Sequence, residues 1–260
     1  VARRGRRWLI GLVVVVLVVA GLLVVADRVA VHVAEGKLAD QAVTAMRDRE
    51  ITSDKKPSVS IGGFPFLTQV LAGKYEKVTI DVDHPHNRQV TLDRLTIVAN
   101  QVHAPLDTIR SGQGQVTSDS VVGTATMSWD VVRSLIDTTP LRQVPGLDVS
   151  KLNIAVKDNK VNMSAPISFA GIKLNLQAAG TLAVTKGEVH LQIEDLRAVS
   201  PNGGTSALSP SFLQQYRDRL NVKVAVPNLP YDLVINKVQS SSTGVLVTAT
   251  AANVVLAGKA

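Results

Sequence analysis

Apolar and polar positions follow three patterns along the chain. From Trp8 to Ala26 nineteen residues pass without a charge. At ~1.5 Å per helical residue such a run spans roughly 28 Å, about one bilayer core. Val is a poor helix former in water, but lipid obliges a spanning segment to satisfy its backbone internally. From Val29 to Glu50, "VAVHVAEGKLADQAVTAMRDRE" changes to Ala, Leu, Lys, Gln and Arg, with Val31, Leu38, Ala42 and Met46 available to one side. This predicts a helix, secure over Lys37–Glu50 and weakened before that by Gly36. "TSDKKP" closes it with turn formers and a proline.

Beyond that point the period is two. "KVTIDVD" sets Val78, Ile80 and Val82 against Thr79, Asp81 and Asp83. "KLNIAVKDNKVNMSAPISFAGIKLNLQAAGTLAV" alternates over a long distance, with "KDNK" read as a hairpin turn and "AAG" as a break. "EVHLQIEDL", "NVKVAV", "YDLVINKV" and "GVLVTATAANVVL" follow. Alternation of this kind gives each strand one wet and one aliphatic face, as in an antiparallel sheet. Two short helices interrupt the strands. "SWDVVRSLID" has Ser128 as cap and Trp129, Val132 and Ile136 on one side; "SPSFLQQYRDRL" has Ser209 as cap, Pro210 at the first position, then Phe212, Tyr216 and Leu220. The fold class expected is α+β: a long curved antiparallel sheet wrapping a long N-terminal helix, with short corner helices, after one transmembrane helix.

Charge assigns sides. The chain carries a net charge of +7, of which Arg3, Arg4, Arg6 and Arg7 supply four before the apolar run, leaving +3. Arginines in that position hold the N-terminus in the cytoplasm and send the rest across. Residues 1–27 are thus read as a membrane anchor or signal segment, and 28–260 as a single extracytoplasmic domain. The length favours a retained anchor over a signal peptide core of ~7–15 residues, although "VVA" at Val24–Ala26 offers small residues of the kind a signal peptidase accepts. With the four arginines accounted for, no basic stripe interleaved with aromatics remains, so nucleic acid is not an expected partner. At 45% hydrophobic and 19% charged the chain has material for a core, and without cysteine it has no disulfide, thiolate ligand or Cys nucleophile.

One stretch concentrates unusual residues. "IGGFPFLTQVLAGKYEKVTIDVD" holds two of the chain's four phenylalanines around one proline, behind two glycines. Pro65 can open a helix, "FLTQVLA" gives two turns, and Gly73 ends them. Phe66 with Val70 and Leu67 with Leu71 are i, i+4 pairs, so a short apolar helix is expected at a sheet end. Phe64, Phe66, Leu67, Val70 and Leu71 are either a plug of the core, the ordinary role of apolar groups at a strand junction, or a lipid-contacting end or bilayer wedge. "DVDHPHNR" offers Asp81, Asp83, His84 and His86, but Pro85 and the alternation put them on a solvated turn, and no metal is assigned. No Gly-x-Ser-x-Gly elbow, zinc-protease helix or phosphate loop appears, and "SGQGQ" and "PNGGTS" read as loops. No catalytic residue and no cofactor is assigned.

The pattern "SVSIGGFPFLTQVLAGKYEKVTIDVD", after an Arg-led apolar segment and a helix, resembles the LmeA-type phospholipid-binding family of actinobacterial envelopes. The specific part is Gly-Phe-Pro-Phe-Leu-x-Gln-x-Leu-x-Gly, about twenty residues with its flanks; the later strands match in layout. The resemblance implies a one-domain relative of the tubular lipid-binding fold, with a curved sheet around a long helix and an apolar channel between them. It also implies phospholipid binding outside the cytoplasmic membrane in envelope assembly, including mannan elongation on lipoglycans in mycobacteria. The expected lipid contacts are Leu38, Ala42, Met46, Phe64, Phe66, Leu67, Val70 and Leu71, and the expected partners are phospholipid and the cytoplasmic membrane. Each methylene buried there is worth ~0.8 kcal/mol, so a modest channel suffices. Two alternatives stand beside this: a non-catalytic structural or interaction domain with a filled core, and a glycan-binding surface built from the outward Thr, Asn and Gln rows. A glycan-processing enzyme would require buried carboxylates in a cleft.

Overall fold

A computed structural model describes residues 3–88, 90–111, 113–135, 139–142, 145–157, 160–169, 171–200, 222–224 and 229–258. The fold is α+β: one long apolar-led helix, two large antiparallel sheets and a few short helices. The expected class therefore holds. The helix at Ser209–Leu220, with Phe212 and Tyr216, lies outside the described residues.

Helix α1 runs unbroken over Arg3–Asp48. The sequence divides this length into a span and a second helix; the backbone does not, because Gly36 lies on an open face where a side chain would meet nothing within 4 Å. Residues 11–26 are exposed on every side, and the mean hydropathy of the run reaches 2.7, long and apolar enough to cross a membrane. From Asp27 onward one stripe turns inward: Asp27, Val31, Glu35, Leu38, Ala39, Ala42, Val43 and Met46 are buried or half-buried at the three-four spacing of a packed helix face. The helix stops in a 6→1, 5→2 arrangement. Ile51 N–H donates to the Met46 carbonyl at 2.9 Å and Glu50 N–H to that of Arg47 at 3.0 Å, with Glu50 itself left-handed at φ 56°.

The first sheet has the order β1-β2-β3-β4-β11-β10, from β1 (Ser58–Gly62), β2 (Lys74–Asp83), β3 (Arg94–His103), β4 (Val116–Ser128), β10 (Val234–Ser240) and β11 (Gly244–Ala257). The second has the order β5-β6-β7-β8-β9, from β5 (Asn153–Lys157), β6 (Lys160–Phe169), β7 (Ile172–Thr185), β8 (Glu188–Val199) and β9 (Val222–Val224). Short helices α2 (Phe66–Ala72), α3 (Leu106–Ser111), α4 (Trp129–Leu135) and α5 (Thr139–Arg142) join them. β5 and β6 pair antiparallel down to Lys157 and Lys160, as expected of a hairpin at "KDNK", whose two central residues lie outside the described ones. "AAG" does not break a strand: β7 continues through it, and the irregularity is a register shift against β8 after Ala179.

The chain divides into two compact units. Unit 1 is Val1–Val82, Thr96–Val121 and Ala252–Ala260; unit 2 is Asp83–Leu95 and Val122–Ala251. Unit 2 is filled. The inward rows of β5–β8 alternate with period two, broken in β8 by a step of three from Ile193 to Leu196 at the register shift, and meet Met127, Trp129, Val132, Leu141, Ile235, Val245 and Val247 in one cluster. Trp129 is a core anchor, its indole N–H donating to the Ser241 carbonyl at 2.9 Å. Leu191, Val161, Ile167 and Val189 are inaccessible to water, so no water-sized gap adjoins them. Unit 1 is looser. Val59, Val82, Ala99, Val102 and Val121 are buried, but Ile61, Val78, Ile80, Ile97 and Val98 are only half-buried.

Candidate functional site: the apolar turn beside helix α1

The Gly62–Gly73 segment is built around Gln69, the glutamine of the Gly-Phe-Pro-Phe-Leu-x-Gln-x-Leu-x-Gly motif, for which the residue pattern assigns no role. Its amide is buried. Nε2 donates to the Gly62 carbonyl at 3.1 Å and Oε1 accepts from Glu76 N–H at 2.9 Å, so it ties the end of β1 to the start of β2. Gly63 has φ +90°, and a Cβ there would lie 2.8 Å from Gln69 Nε2 and 2.9 Å from the Glu76 carboxyl carbon. Only glycine supplies both the angle and the space. The Phe64–Pro65 peptide is cis, and Pro65 is the N-cap of α2 without a side-chain cap of its own. At the far end Gly73 is left-handed at φ 63°, with the Pro105 backbone where its side chain would be. Ala104 N–H donates to the Gly73 carbonyl at 2.9 Å, which brings the end of β3 and the beginning of α3 beside the end of α2.

The missing cap comes from α1. Asp27 Oδ1 accepts from Leu67 N–H at 2.8 Å, placing a carboxylate on an otherwise open helical donor. Asp27 is 2% exposed; its Oδ2 has Arg28 Nη2 at 3.7 Å and accepts no hydrogen bond among the described residues. Arg28 in turn lies over the Phe64 ring, 4.8 Å from the centroid, a cation–π contact. Two further ties fix the register of α1 on its neighbour. Glu35 Oε1 accepts from Ile61 N–H at 2.9 Å, and Asp40 Oδ1 pairs with Lys56 Nζ at 2.9 Å. Partners 67, 61 and 56 descend as 27, 35 and 40 rise, so α1 and the 56–67 segment run antiparallel.

The eight expected lipid contacts fall into two groups. Leu38, Ala42 and Met46 lie half-buried on the inward stripe of α1. Eleven residues separate Asp27 from Leu38, roughly 16 Å along the axis, so these three do not join the α2 turn. In the turn, Phe66 is buried against Tyr75 with ring centroids 6.3 Å apart, and Val70 is half-buried. Phe64 is 56% exposed, Leu67 lies on the surface and Leu71 is 80% exposed. The plug and the wedge thus coexist in one helix: Phe66 does the first, Phe64, Leu67 and Leu71 present an apolar face outward. Burial beside Phe66 raises the Tyr75 phenol above its ordinary value of 10.0.

The acidic and histidine cluster at 81–86 is occupied with structure. Asp81 accepts from the Thr96 hydroxyl, Asp83 pairs with Arg94 at 3.2 Å, and His86 Nδ1 contacts the His84 carbonyl at 3.0 Å. Among the described residues no three His, Asp or Glu side chains gather as a metal set.

Two open grooves lie in unit 2. One, of about 670 Å³, is lined by Arg142, Leu147 and the Asp148–Ile154 turn, where the Ser150 hydroxyl and Lys151 hold the Asp148 carboxyl below its usual range. The other, of about 440 Å³, crosses the outward face of β5–β8. Its lining comes in two cross-strand rows, Ala155–Asn162–Ala179–Asp195 and Asn153–Ser164–Gln177–Arg197. Neither groove includes any of the eight expected contacts.

These features define a class first: an α+β protein led by a membrane-length helix, with a closely packed core cluster in one unit and a half-buried aliphatic face in the other. The chain belongs to the LmeA-like phospholipid-binding family, whose sequence model matches residues 25–250. The match begins at the end of the uncharged run and takes in the Gly62–Gly73 turn, the second sheet and the first sheet as far as the middle of β11. No curated protein and no solved structure matches the chain.

Proposed function

We propose that the chain is a phospholipid-binding, non-enzymatic protein of the cell envelope. In this reading α1 anchors it in the cytoplasmic membrane with residues 28–260 on the outer side. Acyl chains lie against the aliphatic surface of unit 1, bounded by Leu38, Ala42 and Met46 and by the α2 turn. Holding a lipid for envelope or lipoglycan assembly requires no catalytic group; it requires apolar surface that the protein itself leaves uncovered. The observation that carries the proposal is the contrast, inside a phospholipid-binding family, between the inaccessible core of unit 2 and the half-open rows Ile61, Val78 and Ile80 of unit 1. Ile61 and Val78 are direct cross-strand partners and Ile80 pairs with Val59, so the row forms one face of β1–β2.

A phospholipid with a photoreactive group on its acyl chain tests the reading. With full-length protein in vesicles, adducts are expected at Leu38, Ala42, Met46 and the Ile61–Val78–Ile80 row. Adducts confined to residues 8–26 overturn it, since any spanning helix would give those. A second reading, glycan contact, has one observation in its favour: the outward groove of β5–β8, with Asn162, Ser164, Gln177, Asp195 and Arg197 arrayed across three of its strands. Glycan-array binding lost in Gln177→Ala but retained in Ile80→Trp would favour it over the lipid reading.

A further inference from the structure

The α2 turn sits at a definite height on α1. Asp27, which caps α2, is the first residue after the uncharged run, so the Leu67 amide is hydrogen-bonded to α1 at the end of that run. On the opposite side of α1 the apolar surface continues past this level. Val25, Val29 and Val33 recur every four residues and all are exposed, carrying an apolar strip about 9 Å beyond Asp27. A bilayer that covers this strip also reaches the α2 turn, which is tied to α1 at Asp27 and Arg28 and where Phe64, Leu67 and Leu71 are exposed. Ile109, exposed on α3 beside the Gly73–Pro105 contact, belongs to the same end of the sheet. Arg28, on the ring of Phe64, places a cation and an aromatic together where headgroups begin.

We infer that α2 is a membrane-surface wedge: Phe64, Leu67 and Leu71 enter the headgroup–acyl boundary of the bilayer that α1 crosses, on the side from which Asp27 emerges. The inference rests on the reading of α1 as a spanning helix and goes beyond it. A tether alone leaves a domain free to tilt and rotate. A second apolar contact, locked to the tether by the Asp27–Leu67 hydrogen bond, fixes the domain's orientation and seats the β1–β2 end of unit 1 on the lipid surface.

The chain contains no cysteine, so single labels report without background. Full-length Leu67→Cys, Leu71→Cys, Val18→Cys and Gln41→Cys variants would carry an environment-sensitive fluorophore in vesicles of phosphatidylcholine and phosphatidylglycerol. Lipids spin-labelled at the headgroup or deep in the acyl chain act as quenchers. Labels at 67 and 71 are expected to shift to the blue and lose intensity to the shallow quencher, as for apolar groups ~5–10 Å deep. The label at 18 should respond to the deep quencher. The label at Gln41, exposed on α1 about 21 Å past Asp27, should respond to neither. A quenched label at 18 with labels at 67 and 71 as wet as that at 41 overturns the wedge and leaves the span standing. An unquenched label at 18 overturns both. Blue shifts that follow protein concentration rather than lipid quencher assign the face to a second copy and overturn the wedge. The photo-adduct pattern is read separately, so lipid holding and wedge insertion can fail independently.

Discussion

At the scale of single residues, the turn depends on polar atoms placed among apolar neighbours. Gln69, itself buried, bonds the Gly62 carbonyl and the Glu76 amide, and the loss of such a hydrogen bond costs about 0.5–1.5 kcal/mol. Gln69→Leu, similar in size, is expected to destabilise the turn by that amount, seen as faster hydrogen exchange at Glu76, with unit 2 amides unchanged. Asp27→Ala removes the cap of α2 and should speed exchange at Leu67, by an amount corresponding to roughly 0.5–2 kcal/mol. Tyr75 gives a pH signature. Its raised pKa means that, as pH climbs past 10.0, the unfolded chain releases the phenolic proton before the folded one does. Stability is then complete below 10.0 and falls as pH rises through the folded value. Tyr75→Phe should flatten that alkaline decline in denaturant midpoints, and an unchanged slope would assign the decline to other groups. The glycines, the proline and the phenylalanines of this turn are legible in the sequence because they are rare. Gln69 and Asp27 are not, since their partners sit seven residues away in one case and forty in the other, where no local pattern reaches.

At the scale of elements, what the chain shows plainly is its periodicity, and what it hides is where one element leans on another. The alternation of β5–β8 is readable because one side chain set is buried and the other is not, whereas β2 alternates in sequence although Val78, Thr79, Ile80 and Asp81 are all half-buried. β3 and β4 resist the same reading: "LTIVANQ" places the apolar Ile97, Val98 and Ala99 in succession, and "VTSDSVVGTATMS" is short of large aliphatics. Both strands are held by their neighbours in the sheet order rather than by pattern. The same holds for α1. Its composition announces an apolar helix followed by a polar one, yet the join is continuous because the stripe from Asp27 to Met46 packs on β1 and α2 while the rest of the surface stays open. Ala39 is buried in this stripe, where small size lets the helix approach. Ala39→Leu is expected to cost about 1–3 kcal/mol by overpacking and to loosen protection of β1 amides. Ala45→Leu, at an exposed position of the same helix, should stay within about 0.5 kcal/mol of the parent. Equal effects at the two positions would mean that the stripe does not carry the packing.

At the scale of the whole molecule, sealed and open interiors make opposite demands on the same kind of residue. In the core cluster of unit 2 the most deeply buried aliphatic side chains are all but inaccessible, so a group removed there leaves a void: Leu191→Ala should cost about 2–5 kcal/mol. In unit 1 the half-buried row already has open space beside it, so enlarging a residue there meets less resistance than it would in a filled core. Ile80→Trp therefore separates folding from binding. If the row holds acyl chains, the indole occupies their place: photo-adducts from an acyl-labelled phospholipid should fall at Leu38, Ala42 and Met46, while the denaturant midpoint moves little. Leu191→Ala should do the reverse, lowering the midpoint and leaving the adduct yield of the folded fraction intact. The pair of variants is informative because each controls for the other. Loss of adducts in both would trace lipid contact to overall fold integrity, and loss in neither would move the lipid away from the β1–β2 face. The logic depends on a distinction that composition alone does not draw, since both units are written in the same Val, Ile and Leu at period two; only the extent to which neighbours cover those side chains tells a core from a binding surface.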